Sequence, residues 1–406
     1  MSTIAAQPSG PLRGVVVVEL CHHLAGPTCG VMLADMGASV VKVERVPDGD
    51  DSRRSIPPEL RGESAAFMMI NRNKRGIAVD LKTDDGKEVL WRLIDRADVL
   101  TENYKRGVMD RLGFGYEQMK ARKPELVYAA ISAFGRDGPY ADRRGFDLIA
   151  QGMSGLMSIT GEGPERPPVK IGPPVTDITA GFLGAMGILA AYTHRLKTGE
   201  GQIVDTSLFE AGIIHTFWQS AIQLATGTPP RSMGSAHPLN APYQAVETAD
   251  GWINIGGANQ QSWLRIIEVL GAPELNDDRR FCNNLQRMNN LTALQDTLAP
   301  LFKVRTSTDW LERLEAAGVA AGPILDIAEM HADPQTLARG MITEVEHATV
   351  GRMKTLGPPI KFSETPSGVA RSAPVYGQHT REVLREIGYA DPEIDSMAAS
   401  GAVVCS

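Results

Sequence analysis

Short, nearly continuous apolar runs recur through the first half of the chain, and segments with helical patterning separate them. The apolar runs span residues 14–20, 39–44, 77–81, 97–104 and 126–134. Such runs are typical of strands that are buried on both faces of a parallel sheet. The segments predicted as helices between them include residues 27–36 and 84–96 and a stretch that begins at Arg106. Strands that alternate with helices predict an α/β fold with a Rossmann-like, doubly wound sheet.

A long apolar helix is predicted after the proline pair Pro173-Pro174. Because prolines keep the preceding residues extended, either Thr176 or Asp177 is expected to be the N-cap. The helix should continue to about Lys197, and Gly199 should end it in the left-handed conformation. Asp177 is therefore expected on the first turn.

Three glycines of this helix, Gly181, Gly184 and Gly187, recur at every third position and share one face. Each costs roughly 1 kcal/mol of helix propensity relative to alanine, so a ligand or a second backbone is expected to approach closely there. Asp177 lies beside this face. It is either a simple helix cap or, because the helix dipole favours its ionised form, a nucleophile.

Beyond this helix, the pattern predicts a strand over residues 202–207 and a largely apolar helix over residues 208–226. Glycine and proline residues at 227–232 mark a boundary. Two strands of a hairpin and several helices follow, to about Leu314. This part predicts a second, smaller domain of the α+β type.

Composition and charge narrow the range of partners. The chain has 406 residues, a formal net charge of −7 and a sequence pI near 5.7, so a nucleic-acid partner is not expected. Its four cysteines have no CxxC or metal spacing and are predicted to be reduced thiols. The first 11 residues lack an apolar signal region, and no later run reaches about 18 apolar residues. A cytoplasmic location without a membrane partner is therefore predicted.

Polar groups near predicted strand ends are candidate ligand contacts. Arg45 directly follows the second strand, at the edge where α/β sheets bind ligands, and suits a phosphate. The basic cluster at residues 71–76 is interpreted as a solvated turn or as an anion site. His22 and His23 lack a third ligand at metal spacing and are interpreted as loop residues, so no metal site is predicted.

Short phrases in a specific order and spacing extend over nearly the whole chain. They are Leu24-Ala25-Gly26-Pro27, Lys42-Val43-Glu44-Arg45, Asn71-Arg72-Asn73-Lys74-Arg75, Glu102-Asn103-Tyr104, Lys197-Thr198-Gly199-Glu200-Gly201-Gln202, Asn240-Ala241-Pro242-Tyr243, Ala321-Gly322-Pro323-Ile324, Asp333-Pro334-Gln335 and Gly377-Gln378-His379-Thr380. Together with Asp177 at the head of a glycine-faced helix, this series resembles the class III CoA-transferases, the CaiB/BaiF type.

The resemblance implies transfer of CoA from an acyl-CoA donor to a carboxylic acid. The reaction would pass through an aspartyl anhydride and an aspartyl-CoA thioester on Asp177. The phrasing around Asp177 is most similar to members that pass CoA between dicarboxylic acids, with succinyl-CoA as the donor. No permanently bound cofactor and no metal are implied, because coenzyme A and the acyl-CoA are substrates. Family members form interlocked ring dimers, so a homodimer is expected.

The resemblance also implies which residues contact CoA. They are Leu24, Ala25, Arg45, Val79, Lys82, Asn103, Tyr104, Lys105, Arg111, Arg143 and Asp147. The expected organisation is a large CoA-binding domain over residues 1–208, a linker over 209–234, a small domain over 235–315, a linker over 316–332, and a C-terminal part over 333–406 that returns to the large domain.

Other functions remain open at this point. Related α-methylacyl-CoA racemases carry Gly-His-Asp where this chain has Gly145-Phe146-Asp147, and phenylalanine cannot exchange a proton, which disfavours racemisation. A nicotinamide-dependent oxidoreductase is disfavoured because the first strand–helix turn lacks GxGxxG. A non-catalytic CoA-binding protein is disfavoured by Asp177. The glycine-only loop of formyl-CoA transferases is missing, so oxalate or formate chemistry is not expected.

Overall fold

The computed structural model describes residues 9–406, and the chain divides into two compact units. The large unit contains the described residues up to Gly155 together with Ile171–His215 and Pro334–Ser406. The small unit contains Leu156–Lys170 and Thr216–Asp333. Residues 1–8, which include most of the polar N-terminal stretch and the start of the predicted large domain, lie outside the described residues. Most of the two segments predicted as linkers groups with the small unit.

The described part of the chain contains 14 strands and 18 α-helices. The strands are β1 (Val16–Leu20), β2 (Ser39–Glu44), β3 (Glu59–Leu60), β4 (Glu63–Ser64), β5 (Arg75–Val79), β6 (Val99–Glu102), β7 (Val127–Ser132), β8 (Ile203–Ser207), β9 (Tyr243–Glu247), β10 (Trp252–Gly256), β11 (Ala321–Pro323), β12 (Ile342–His347), β13 (Gly351–Leu356) and β14 (Val403–Val404). The α-helices are α1 (Ala25–Asp35), α2 (Ala65–Ile70), α3 (Asp84–Arg96), α4 (Val108–Leu112), α5 (Tyr116–Arg122), α6 (Asp147–Met153), α7 (Leu156–Ile159), α8 (Val175–Thr198), α9 (Leu208–Ile214), α10 (Phe217–Thr226), α11 (Gln260–Val269), α12 (Asn284–Asn289), α13 (Leu291–Phe302), α14 (Ser307–Ala316), α15 (Ile327–Ala332), α16 (Pro334–Ala338), α17 (Thr380–Glu386) and α18 (Asp391–Ser400). Two 3₁₀ turns, Asp51–Arg54 and Pro273–Asn276, complete the description.

Seven strands of the large unit form one sheet in the order β14-β5-β2-β1-β6-β7-β8. All neighbouring pairs are parallel except β14, which pairs antiparallel with β5. The predicted α/β class with a mainly parallel sheet is therefore confirmed. The chain builds outward from β1 through β2 to β5, and then returns to the other side of β1 with β6. This reversal places the topological switch point between β1 and β6.

Both faces of this sheet are covered, because successive strand residues point to opposite sides. Val17 and Val40 pack in a core cluster with residues of α1 and α8. Their neighbours Val18 and Val41 pack in a second cluster with residues of α3, α17 and α18. Burial on both sides explains why the strands read as continuous apolar runs in the sequence.

The long helix α8 ends as predicted but begins differently. Gly199 follows its last turn with a φ of 79°, and Asp177 lies on its first turn. Pro174 is the N-cap, and no side chain of the N-cap residue bonds to the helix. The prediction of Thr176 or Asp177 as the N-cap was wrong, because the helical conformation already begins at Val175.

The glycine face of α8 packs closely against other parts of the protein. A Cβ atom placed on Gly181 would lie 2.7 Å from the carbonyl oxygen of Ala25 and 2.6 Å from the Cβ of Thr28, both in α1. Gly184 and Gly187 meet side chains of β7 and β8 at similar distances. The close approach of a second backbone is therefore confirmed at Gly181.

Within residues 9–406, α8 is the one helix long and apolar enough to cross a membrane. This differs from the expectation that no apolar segment of that length occurs. Its residues Ala180, Ile188 and Ala191 are buried in the core cluster that it shares with α1 and the sheet. The apolar character of α8 is explained within the large unit by this packing.

The basic cluster at residues 71–76 is buried, so its interpretation as a solvated turn or anion site was wrong. Lys74 Nζ lies 2.9 Å from a carboxylate oxygen of Glu19 and donates to Asn71 Oδ1 at 2.9 Å. Arg72 pairs with Asp35 at 2.5 Å. The neighbouring carboxylates come from β1 and α1, which are distant in sequence, so the pairing could not be read locally.

A second lysine, Lys42, joins the same buried network. Its Nζ lies 3.1 Å from Glu19, 2.8 Å from Asp50 and 2.7 Å from the carbonyl oxygen of Cys21. Burial alone would lower the pKa of Lys42, but Asp50 and Glu19 outweigh it and raise that pKa. The network ties the loop after β1 to β2 and to α1.

The small unit has its own core. Its three-stranded antiparallel sheet has the order β11-β10-β9, and the hairpin strands β9 and β10 were predicted. Trp263, Phe281 and Trp310 are completely or almost completely buried among the helices that cover it. The single apolar helix predicted over residues 208–226 is two helices, α9 and α10, because α9 ends where His215 N–H bonds back to Gly212.

The close contact at Gly181 makes a testable prediction. Gly181→Ala should lower the free energy of unfolding by about 1–3 kcal/mol despite the better helix propensity of alanine, because the new Cβ would overlap α1. Urea unfolding measures this change. Ala190→Gly, on an exposed position of α8, is the control and should cost only about 1 kcal/mol of propensity. Stabilisation by Gly181→Ala would contradict the packing argument.

Candidate active site

A cavity of about 540 Å³ opens in the large unit at the switch point of the sheet. Loops that follow β1, β6 and β7 line it, so it lies at the carboxyl ends of these strands, where open α/β sheets bind ligands. The lining residues are His22, His23, Leu24, Ala25, Asn103, Tyr104, Lys105, Arg106, Val108, Arg111, Ile131, Ser132, Ala133, Ala141, Arg143, Arg144, Gly145, Phe146, Asp177 and Leu208. Asp177 is the one carboxylate among them.

A second cavity of about 310 Å³ adjoins the first and shares Tyr104 and Val108 with it. The ends of β2 and β5 form its walls. Its lining residues are Val43, Glu44, Arg45, Val46, Val79, Asp80, Leu81, Lys82, Tyr104, Val108 and Leu112. The two cavities therefore form a continuous surface from Asp177 to the outer edge of the strand ends.

The sequence-predicted residues fall mostly on these two walls. The first cavity contains Leu24, Ala25, Asn103, Tyr104, Lys105, Arg111, Arg143 and Asp177, and the second contains Arg45, Val79 and Lys82. Asp147 lines neither cavity and is buried instead. His22, His23 and Arg106 line the first cavity without having been selected, although their positions just after strand ends were a usable signal.

The carboxylate of Asp177 has no hydrogen bond or salt bridge to another described residue. Burial and, as a smaller effect, the negative charge of Asp147 raise the pKa of Asp177 to about 7. The expectation that the helix dipole keeps Asp177 ionised was wrong, because burial outweighs it. Asp177 is therefore a more basic carboxylate than usual.

Asp147, the first residue of α6, explains part of this electrostatic environment. One of its oxygens accepts from Thr176 N at 2.9 Å and from Thr176 Oγ1 at 2.7 Å. The other accepts from Gln151 Nε2 at 2.7 Å, and Gln151 Oε1 accepts from Ile171 N at 2.9 Å. A carboxylate from another helix therefore occupies the first turn of α8, where the helix dipole is most positive.

The loop after β1 is held rigidly beside the cavity. Asn103 accepts from His22 N at 2.9 Å and donates to His22 O at 2.8 Å, so its amide fixes the backbone of His22 on both sides. His23 N donates to Asp50 at 3.0 Å, and His23 has a positive φ of 61°. Burial lowers the pKa of His22 to about 4, so its ring is neutral at physiological pH.

The cavity walls carry a surplus of positive charge. Lys105, Arg106, Arg111, Arg143 and Arg144 form no ion pair with any other residue in the range 9–406. The guanidinium of Arg143 lies 4.1 Å from the ring centroid of Tyr140, which leaves its polar edge available. In a chain with a formal net charge of −7, this concentration of unpaired cations is suited to a polyanionic ligand.

A cleft with one desolvated carboxylate and a cationic rim suits acyl transfer from an anionic thioester. The family model for CoA-transferase family III matches residues 12–380. The chain therefore belongs to CoA-transferase family III, and the resemblance seen in the sequence is confirmed. It is an enzyme of the CoA-transferase class.

Individual relatives are similar over nearly their full length. The chain is 40% identical over 383 residues to a succinate–glutarate CoA-transferase of Agrobacterium fabrum, covering 93% of this chain and 96% of that protein. It is 36% identical over 395 residues to the succinyl-CoA:glutarate CoA-transferase of Homo sapiens, covering 97% and 90%. The crystal structure of a CaiB/BaiF family protein from Brucella suis superposes with a TM-score of 0.82 at 40% identity, covering 93% of this chain and 100% of that one.

The raised pKa of Asp177 makes a prediction about stability. Its value in the folded protein, about 7, lies above the usual 3.8, so ionised Asp177 opposes folding. The penalty is absent below pH 3.8, grows as the pH rises and is complete above about pH 7. Asp177→Asn should therefore raise the free energy of unfolding, by on the order of 2 kcal/mol more at pH 8 than at pH 5.

Urea unfolding at the two pH values measures this difference. Asp142→Asn, the same change at an exposed carboxylate, is the matched control and should have nearly equal effects at both. An Asp177→Asn effect that does not depend on pH would contradict the assignment of a strongly raised pKa.

Proposed function

We propose that this CoA-transferase moves CoA from succinyl-CoA to a dicarboxylic acid by way of covalent intermediates on Asp177. The observation that carries the proposal is the isolated, desolvated carboxylate of Asp177 in a cavity rimmed by unpaired cations. A carboxylate that no neighbour neutralises, with a pKa near neutrality, is a competent nucleophile. The names of the relatives support the choice of donor and acceptor.

The first half-reaction releases the donor acid. An oxygen of Asp177 attacks the thioester carbonyl carbon, the carbon–sulfur bond breaks, and CoA leaves as a thiolate from a mixed anhydride. The thiolate then attacks the aspartyl carbon of the anhydride. The carbon–oxygen bond breaks, the donor leaves as a carboxylate, and Asp177 carries CoA as a thioester.

The second half-reaction runs the same steps in reverse. The acceptor carboxylate attacks the aspartyl carbon and displaces the CoA thiolate, which gives an anhydride between the acceptor and Asp177. The thiolate attacks the acceptor acyl carbon, and Asp177 leaves as a carboxylate. No proton is gained or lost overall, so the chemistry requires Asp177 to be ionised at the start.

The two adjoining cavities are the proposed binding site for CoA. The apolar walls and strand ends of the second cavity, with Arg45 and Lys82 at its mouth, suit the adenosine phosphate end. Leu24 and Ala25 in the first cavity suit the thioester arm near Asp177. Lys105 and Arg111 also line the first cavity, and their positive charges suit the diphosphate.

The enzyme is further proposed to act as a cytoplasmic homodimer. The large unit exposes apolar side chains on α8, where Phe182 is 46%, Met186 62% and Leu196 70% exposed. Exposed apolar surface of this kind supports burial against a second copy of the chain. Racemisation is not favoured, because the cavity residue at the racemase histidine position is Phe146.

Covalent capture tests the nucleophile. Incubation with succinyl-CoA, followed by quenching with hydroxylamine or borohydride and peptide mapping, should show modification at Asp177. Asp177→Ala should remove the modification and abolish transfer, while CoA binding stays within a few-fold. Full transfer activity in Asp177→Ala would exclude the proposed mechanism, and modification of a different residue would reassign the nucleophile.

A matched pair of arginine variants tests the proposed CoA-binding site. Arg45 and Arg54 both pair with Asp51 and are similarly exposed, but of the two only Arg45 lines one of the two cavities described above. Arg45→Ala should weaken CoA binding by about 1–3 kcal/mol if its guanidinium holds a phosphate, and Arg54→Ala should leave binding unchanged. Isothermal titration with CoA measures both. Equal effects would assign the loss to the shared ion pair instead of the ligand.

A further inference from the structure

The network around Asp147 connects the nucleophile's helix to α6 and lies outside the CoA cavity. Asp147 is 9% exposed and Gln151 is completely buried. Together they bond to Thr176 and to Ile171, the residues immediately and shortly before Asp177. Every oxygen of the Asp147 carboxylate is used inside the protein, so this side chain is not free to bind a substrate.

We propose that Asp147 is a positioning residue that fixes the first turn of α8 through Thr176 and places a second carboxyl group beside the nucleophile Asp177. This inference rests on the proposed function of Asp177. It assigns to Asp147 a role different from the CoA contact expected by resemblance, since Asp147 would act through Asp177 and touch neither CoA nor the acyl group.

The geometry gives this charge two effects. By accepting the N–H of Thr176, Asp147 uses one of the backbone donors at the positive end of α8. As a like charge in a buried setting, it also disfavours ionisation of Asp177 directly. A carboxylate with a higher pKa is a stronger nucleophile once it is ionised. Asp147 therefore speeds the attack by Asp177 but shifts activity to a higher pH.

Other charged and titratable groups around Asp177 affect its pKa equally in the wild type and in the Asp147 variants. His22 and His23 on the first loop and the five unpaired cations of the cavity wall face the same space. On α9, His215 Nε2 lies 2.8 Å from Thr179 Oγ1 of α8, and Glu210 bonds to Ser207. None of these groups bonds to Asp147 or Gln151, so they remain in place when Asp147 is changed.

The sequence offers a pair of variants that separates charge from hydrogen bonding. Asp147→Asn removes the charge and keeps an oxygen for Thr176, but its amide opposes the Gln151 amide. Adding Gln151→Glu restores an acceptor for the new amide and for Ile171 N–H. The double variant thus regains the hydrogen bonds and moves the carboxyl group from position 147 to position 151, one helical turn along α6 from the Thr176 contact.

The pH profile of kcat/KM for CoA transfer is the first measurement. In Asp147→Asn its acidic midpoint should move down by about one pH unit, with a few-fold lower rate on the alkaline plateau. In the double variant the midpoint should lie between those of the wild type and the single variant. An unchanged midpoint in Asp147→Asn would overturn the proposal. The proposal would also be overturned if the double variant regained the full rate and neither variant shifted the acidic midpoint. Asp147 would then be a structural cap only.

A readout that does not need activity keeps the two proposals distinguishable. Asp177→Asn should raise the urea midpoint more at pH 8 than at pH 5. This difference between the two pH values should shrink to about half or less when Asp147→Asn is already present. An undiminished gain overturns the role of Asp147. If the wild type transfers CoA from no donor, the proposed function fails, and this unfolding cycle still decides whether Asp147 sets the charge at Asp177.

Discussion

The contact between α8 and α1 at Gly181 sets the geometry on which the site depends. Asp177 lies one helical turn before Gly181, and the partner residue Ala25 both packs against this glycine and lines the cavity. A side chain at Gly181 would separate the two helices. Asp177, the proposed nucleophile, would then move away from the loop that is proposed to hold the thioester arm. The missing Cβ is thus a requirement of the site as well as of the core.

The loop after β1 needs a second support, because its backbone is not part of the sheet. Buried charges supply it: Lys42 holds Asp50, and Asp50 in turn accepts the N–H of His23. Breaking one member of such a network leaves an uncompensated buried charge, which costs far more than a surface ion pair. The buried charged residues Glu19, Lys42, Asp50 and Lys74 therefore support the loop beside the cavity, while the cations that line the cavity are the proposed contacts of the ligand.

The electrostatics of Asp177 are decided by competition between two effects of opposite sign. A helix N-terminus lowers the pKa of a carboxylate by a modest amount at an exposed position, whereas burial raises it by several units. Here the Thr176 N–H of the first turn already donates to Asp147, which weakens the effect of the dipole on the pKa of Asp177. Burial wins, and the result is a carboxylate poised near neutral pH. This balance suits the proposed mechanism, in which Asp177 is a nucleophile in one step and a leaving group in another.

The sequence by itself determined the α/β class, most strands and helices, the first-turn position of Asp177 and the family. These features depend on local patterns: apolar runs mark doubly buried strands, glycine after a periodic segment marks a helix end, and ordered phrases mark ancestry. The tertiary structure alone decided that Lys74 and Arg72 are buried, because Glu19 and Asp35 reach them from other elements. It also decided that burial and the nearby Asp147 raise the pKa of Asp177, because residues remote in the chain cause both effects.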